Sequence, residues 1–262
     1  MNYFIKLSLF FFFISGTTIA QEVDLSAAID NNFRKNQHKL RDAHRNPLET
    51  LNFFGIQDNF TVLEILPGKG YYSEILSNYL NKNGDFIVAN FGSDHPNKYL
   101  KNLHDNYVSY FKDNENFGNI TITKFKENNY LEQIKDNSLD MILTFRNSHN
   151  WLYNNQIENI YSSFNKKLKK NGILGVVQHR ANTHNPNKKN GYIEENFLIN
   201  LIESNNFELL NKSSINNNPK DTKDYPKGVW TLPPTLRLGE ENKENYIEIG
   251  ESDRMTLKFK KL

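Results

Sequence analysis

Three stretches of the chain carry residue types that could do chemistry. The first is V-L-E-I-L-P-G-K-G-Y-Y-S, Val62 to Ser73, where an apolar run ends in an acid and in two closely spaced glycines. Gly68 and Gly70 can adopt positive φ and let a ligand approach the backbone, and Pro67 fixes the entry to the turn. The loop lacks the Gly-Lys-Ser/Thr ending of a phosphate loop, and Ser73 stands where a dinucleotide fingerprint has its third Gly or Ala. Glu64 suits a ligand with a cationic amino or sulfonium group and is out of place beside a pyrophosphate. The second stretch is R-N-S-H-N-W, Arg146 to Trp151. Here His149, with an ordinary pKa of ~6.5, is a general base, a hydrogen bonder to substrate or a cap on a strand exit. The third, V-V-Q-H-R-A, Val176 to Ala181, adds His179 as a second catalytic candidate. Arg146 and Arg180 can grip a carboxylate or phosphate through paired hydrogen bonds, or can pair with a neighbouring acid. Trp151 and Trp230 are substrate platforms or core residues, and Tyr71 or Tyr72 can cover a ligand from behind the loop.

Short apolar runs alternating with amphipathic stretches must position these residues. Strands are expected at 61–66, 85–90, 120–125, 139–145, 172–178, 207–215 and 255–260, and helices at 71–80, 97–110, 156–170 and 193–204. Strands separated by helices of this length predict right-handed crossovers and a doubly wound, mainly parallel α/β sheet. The glycine loop then lies outside the carboxyl ends of the strands, where such sheets bind ligands. Upstream, 25–45 is helical in pattern but polar, which predicts a helix lying across the surface. Asn46, Pro47 and Glu49 make an N-cap, N1 and N3 set, and Gly55 ends that helix. The segment 216–250 has neither period, as expected of an irregular insertion or a lid over a site.

The acid-x-x-x-Gly-x-Gly run resembles the first motif of class I S-adenosylmethionine-dependent methyltransferases, with Leu66 at the first glycine position. L-D-M-I-L-T-F-R-N-S-H-N-W and L-K-K-N-G-I-L-G-V-V-Q-H-R-A resemble that family's fourth strand and the helix, turn and fifth strand after it. Together with D-T-K-D-Y-P-K-G-V-W-T-L-P-P and S-D-R-M-T-L-K-F, these motifs resemble a branch of exported bacterial methyltransferases. The resemblance implies a seven-stranded Rossmann-like sheet with its last strand antiparallel. It also implies S-adenosyl-L-methionine as cofactor, held by Glu64, Pro67, Gly68, Gly70, Tyr71, Asn90 and Asn147. Asn90, or Asp94 in its place, would meet the ribose hydroxyls. Catalysis would fall to His149 and His179, and substrate binding to Arg146, Trp151, Arg180 and Trp230. The alternative is a periplasmic ligand-binding or interaction module that keeps this fold without catalysis.

Composition narrows the rest. With 32 Lys+Arg against 30 Asp+Glu the net charge is +2, no footprint for a nucleic acid, and a small-molecule substrate is expected. The absence of cysteine excludes disulfides, thiolate metal sites and a thiol nucleophile. No H-x-x-x-H or H-E-x-x-H spacing occurs, so no metal is expected. Residues 1–20 carry Lys6, an apolar run from Leu7 to Ile14, and Thr18-Ile19-Ala20 before Gln21. That is the pattern of a cleaved secretory signal, which predicts a periplasmic or secreted protein that no longer meets the membrane. The expected divisions are therefore 1–20 signal, 21–58 helical extension and 59–262 methyltransferase-like domain, with oligomeric state left open.

Overall fold

The computed structural model describes residues 23–126, 129–185 and 189–262. The signal expected over 1–20 lies outside the described residues. Four short helices come first: α1 (Leu25–Asp30), α2 (Asn36–Lys39), α3 (Asp42–Arg45) and α4 (Pro47–Phe54). Next are β1 (Thr61–Ile65), α5 (Ser73–Tyr79), β2 (Asp85–Asn90), α6 (Lys98–Phe111) and β3 (Thr121–Lys124). They are followed by β4 (Leu139–Phe145), α7 (Ser148–Tyr153), α8 (Ile157–Lys167) and β5 (Leu168–Ala181). The chain closes through β6 (Ile193–Glu194), α9 (Glu195–Glu203), β7 (Phe207–Ser213), a 3-10 turn at Gly228–Thr231, α10 (Lys243–Ile249) and β8 (Arg254–Lys261).

The strands run in the order β3-β2-β1-β4-β5-β8-β7, with the two-residue β6 beside β5 off that path. Strands β1 to β5 pair in parallel, and β8 enters antiparallel between β5 and β7. This is the expected doubly wound sheet with its last strand reversed. Its order turns back between β1 and β4, so a crevice opens over their carboxyl ends.

Period-two alternation along β1 decides what faces what. Leu63 and Ile65 join one core layer with Ile160, Phe164 and Leu198 of α8 and α9. Val62 joins the other with Phe54, Ile75 and Tyr107 of α4, α5 and α6. Glu64 shares the Val62 face and is 1% exposed, so a carboxyl group is built into an apolar layer. Each fully buried Leu, Ile or Phe contributes about 1.5–3 kcal/mol through removal from water, and both faces of the sheet are covered in this way.

Several expectations need correction. The stretch 25–45 is three short helices, and it buries Arg34, His38 and Arg45 while Leu40 is exposed. A polar pattern was therefore no sign of a surface helix, because Arg34 meets Asp42, His38 meets Glu74 and Arg45 meets Glu251. Asn46 precedes α4 in the left-handed region, at φ 41°, and its side chain caps nothing. Its Nδ2 instead donates to the Ile215 carbonyl at 2.8 Å. Helix α8 ends at Lys167, three residues early, because Leu168 already pairs with Leu139. Among the described residues no helix is long and apolar enough to cross a membrane.

Candidate functional site

The loop after β1 holds three left-handed residues in alternation: Leu66 at φ 46°, Gly68 at φ 63° and Gly70 at φ 83°. A non-glycine residue there costs roughly 1–2 kcal/mol, so Leu66, at the first glycine position of the expected motif, holds a conformation that glycine would adopt without that cost. The two glycines serve different ends. A Cβ on Gly68 would meet nothing within 4 Å, which leaves that backbone open. A Cβ on Gly70 would lie 2.6 Å from the Phe111 ring, so Gly70 lets α6 pack onto the loop. Beneath the loop the Ser73 hydroxyl donates to Glu64 at 2.6 Å. Burial pushes the Glu64 carboxyl up to about 8, against the pull of Ser73 and Arg45. At neutral pH Glu64 is thus mostly protonated, and the attraction for a cation expected of its charge is largely absent.

Above the loop is a cavity of about 220 Å3 whose walls include Arg45, Gly68, Arg146, His149, Trp230 and Glu251. Pro67, Tyr71, Asn147 and His179 also border it, as does Glu64 from below. Each wall has a structural cause. Asn147 Nδ2 donates to the Ile65 carbonyl at 2.9 Å, pinning the exit of β4 to the end of β1. Tyr71 spends its hydroxyl on Asp42 and lies with its ring 4.4 Å from the Arg45 guanidinium. The 3-10 turn of the 216–250 segment brings Trp230 edge-on to His149, with ring centroids 5.8 Å apart.

The state of His149 follows from its partner. Gln178 Nε2 donates to the Gly191 carbonyl at 3.0 Å and lies 3.2 Å from His149 Nδ1. The carbonyl requires the amide nitrogen there, so Nδ1 is the acceptor and the neutral ring carries its proton on Nε2. Burial pushes the His149 pKa down to about 4. The residue is therefore a neutral hydrogen-bond donor at pH 7, not a base of ordinary strength. His179 sits behind it, buried, with Nδ1 against the Ser252 hydroxyl at 2.5 Å, and burial followed by the neighbouring His149 lowers its pKa well below the usual value.

Two wall residues, Arg45 and Glu251, belong to a cluster of guanidinium groups whose other members, Arg41 and Arg254, do not border the cavity. Glu251 meets Arg41 Nε at 2.6 Å, Arg254 Nη1 at 2.8 Å and Arg45 Nε at 3.4 Å. Burial opposes its charge, yet Arg45, Arg254 and Arg41 hold the Glu251 carboxyl well below the usual carboxylate range. Arg146 leaves β4 with φ 64°, and among the described residues its guanidinium has no hydrogen bond or ion pair.

Other expected residues fall elsewhere. Arg180 does not border the cavity: it is tied to Asp253 at 2.8 Å and Glu195 at 3.0 Å. Trp151 is 3% exposed and packs edge-on to Tyr161 and Phe164 in the core. Asn90 lies at the end of β2, 1% exposed, with its Oδ1 taking the Phe91 N–H and its Nδ2 without a partner. Asp94 is an exposed partner of Lys124. Sequence reasoning missed Arg45, Glu251 and Ser252, which border the cavity. The only signal was an excess of arginine in 34–45 and at 254, and nothing local linked the two.

No family model matches the chain, and no curated protein matches it. Solved structures do. A SAM-dependent methyltransferase from Aquifex aeolicus superposes with TM-score 0.58 at 13% identity, over 91% of this chain and 99% of that one. A SAM-dependent methyltransferase from Methanosarcina mazei gives 0.52 at 14% identity, over 79% and 94%. The cyclase SpnF gives 0.57 at 10% identity, over 84% and 80%. At these identities the likeness establishes the fold, and the chain has the Rossmann-like methyltransferase fold.

Proposed function

We propose that this chain is an exported methyltransferase that uses S-adenosyl-L-methionine to methylate a small molecule. The observation that carries the reading is the backbone of the β1 loop. Leu66, at the motif's first glycine position, holds a left-handed conformation that glycine favours, and Gly68 faces open space. A second observation fits the same group: the buried Asn90 Nδ2, without a partner, lies at the strand end where a ribose would sit. Gly68 and Pro67 would cradle the cofactor from below, Asn90 would meet the ribose, and Asn147 would hold the neighbouring strand exit in place. When bound, the cofactor supplies a sulfonium methyl, whose carbon takes the acceptor's lone pair as the carbon–sulfur pair returns to sulfur. The chain's own part is alignment and exclusion of water, with Trp230 over the cavity and His149 donating from its Nε2.

Export rests on the signal pattern of residues 1–20, and resemblance to an exported branch rests on the long motifs. Sequencing the amino terminus of the protein recovered outside the cytoplasm should give Gln21 first; an intact Met1 there overturns the cleavage. Calorimetry on residues 21–262 should show binding of S-adenosylmethionine and of its demethylated product. No heat at millimolar ligand would sink the cofactor assignment. A second reading, a ligand-binding module without methyl transfer, draws on the guanidinium cluster, which is unfavourable to a cationic ligand. It predicts that the ligand retained on purification is not an adenosyl compound.

A further inference from the structure

The cavity is bordered by two guanidinium groups, Arg45 and Arg146, and by Glu251, whose carboxylate is shared with two further arginines outside the lining, Arg41 and Arg254. Arg45 and Arg254 are each only 4% exposed at the side chain and share one carboxylate, Glu251, with Arg41. After those contacts Arg41 Nη2, Arg45 Nη2 and Arg254 Nε are buried with no hydrogen-bond partner. Arg146 adds a fourth guanidinium beside them with no partner among the described residues. The other acid in the wall, Glu64, already takes the Ser73 hydroxyl. A guanidinium keeps its proton at any ordinary pH, so this arrangement stores an unmet demand for negative charge. Buried donors without acceptors are costly, and folds tolerate them where a ligand supplies what is missing. Burial and then Arg45, with smaller contributions from Arg41 and Arg254, lower the Arg146 pKa against the pull of Glu251, the carboxylate it has to share with three other guanidinium groups.

The same walls contain no base ready at neutral pH. The His149 Nδ1 lone pair is taken by Gln178, the His179 Nδ1 faces Ser252, and Glu251 is engaged by three arginines. An acceptor that had to lose a proton would find no side chain here to take it. An acceptor that enters already ionised needs none.

From this geometry we infer that the molecule bound beside Arg146 and Arg45 is an oxyanion of the carboxylate class. Its charge meets the free guanidinium donors, and its body lies against Tyr71, Tyr72, Phe145 and Trp230. Its role as methyl acceptor rests on the function proposed above. On that reading a carboxylate oxygen lone pair forms the bond to the methyl carbon, the carbon–sulfur pair goes to sulfur, and no proton is left to remove. The binding of an oxyanion does not depend on that reading. One other source of the same chemistry exists, the carboxylate on the cofactor's own methionine moiety.

The test uses residues 21–262 with benzoate and its neutral isostere benzamide, each with and without S-adenosylhomocysteine. Benzoate should bind at least tenfold more tightly than benzamide, and Arg146→Gln should remove that preference, a loss of about tenfold or more for a charged hydrogen-bonded contact. Equal binding of the two probes by the unaltered protein overturns the inference without recourse to any variant. So does an Arg146→Gln protein, shown by its melting curve to be folded, that keeps the preference. Methylthioadenosine, which lacks the methionine carboxylate, separates the sources. If Arg146→Gln weakens S-adenosylhomocysteine but not methylthioadenosine, and benzoate competes with S-adenosylhomocysteine, the anion site belongs to the cofactor and the inference falls. Selective binding of benzoate together with S-adenosylhomocysteine supports it. Selective benzoate binding by a protein that takes no adenosyl compound supports the oxyanion site while removing the methyl-transfer reading.

Discussion

Glu64 shows how one buried group couples this fold to pH. Its carboxyl, raised from an ordinary 4.5 to about 8 by burial, holds a proton in the folded chain over a range where the unfolded chain has lost it. Its stabilising contribution is therefore fully present below about pH 4.5 and is lost as pH rises through about 8. Glu64→Gln, which keeps the shape and cannot ionise, should leave the melting temperature near pH 5 almost unchanged and raise it by a few degrees at pH 8.5. Melting curves that stay parallel across that range would place the charge elsewhere. Glu251 is the opposite case, a carboxylate kept ionised by three guanidinium groups. Glu251→Gln strands those cations and should cost about 3–5 kcal/mol in urea unfolding; a loss below 1 kcal/mol would mean the cluster is solvated. At this scale the sequence was legible in part. His149, Arg146 and Gly68 announce themselves by type and by place at strand exits. Arg45 and Glu251 do not, because hydropathy records that a residue is polar and says nothing about which distant charge it meets.

At the scale of elements, the β1 loop separates two uses of glycine that look alike in sequence. Gly68 has open space where a Cβ would go, whereas Gly70 is hard against Phe111. Gly68→Ala should cost on the order of 1 kcal/mol for its left-handed φ and should weaken ligand binding. Gly70→Ala adds a clash on α6 and should lower stability further, with the melting temperature falling more than for Gly68→Ala. Equal losses in the two variants would show that neither side of the loop is specialised. Strand and helix positions were accessible from periodicity because each buries an apolar face, as Ile160, Tyr161 and Phe164 do along α8. The boundary at Lys167 was not, since it is set by Leu168 pairing with Leu139 across the sheet. Nor was the fate of the two tryptophans: Trp151 falls in the core and Trp230 in the cavity wall, and only the return path of the 216–250 segment distinguishes them.

For the whole molecule, the first and fourth of the leading helices are part of the domain's core. Leu25, Leu51 and Phe54 are buried in the same layer as Val62 and Ile75. A chain beginning at residue 59 should therefore lose cooperative unfolding and aggregate, while one beginning at residue 21 should melt in a single transition. A soluble, cooperatively folding 59–262 fragment would make the extension an appendage. The Glu251 contacts have a further consequence in time. They join residues 206 and 210 positions apart in the chain, and contacts of such sequence separation form late, because a long loop must close before they return anything. Whether delivered by a ribosome or threaded through a channel, the chain emerges with Arg41 and Arg45 210 and 206 positions ahead of Glu251. Any stretch that stops short of Glu251 lacks the one carboxylate that Arg41, Arg45 and Arg254 share, so a partly emerged chain presents those arginines without their counter-charge and has no finished pocket to fill.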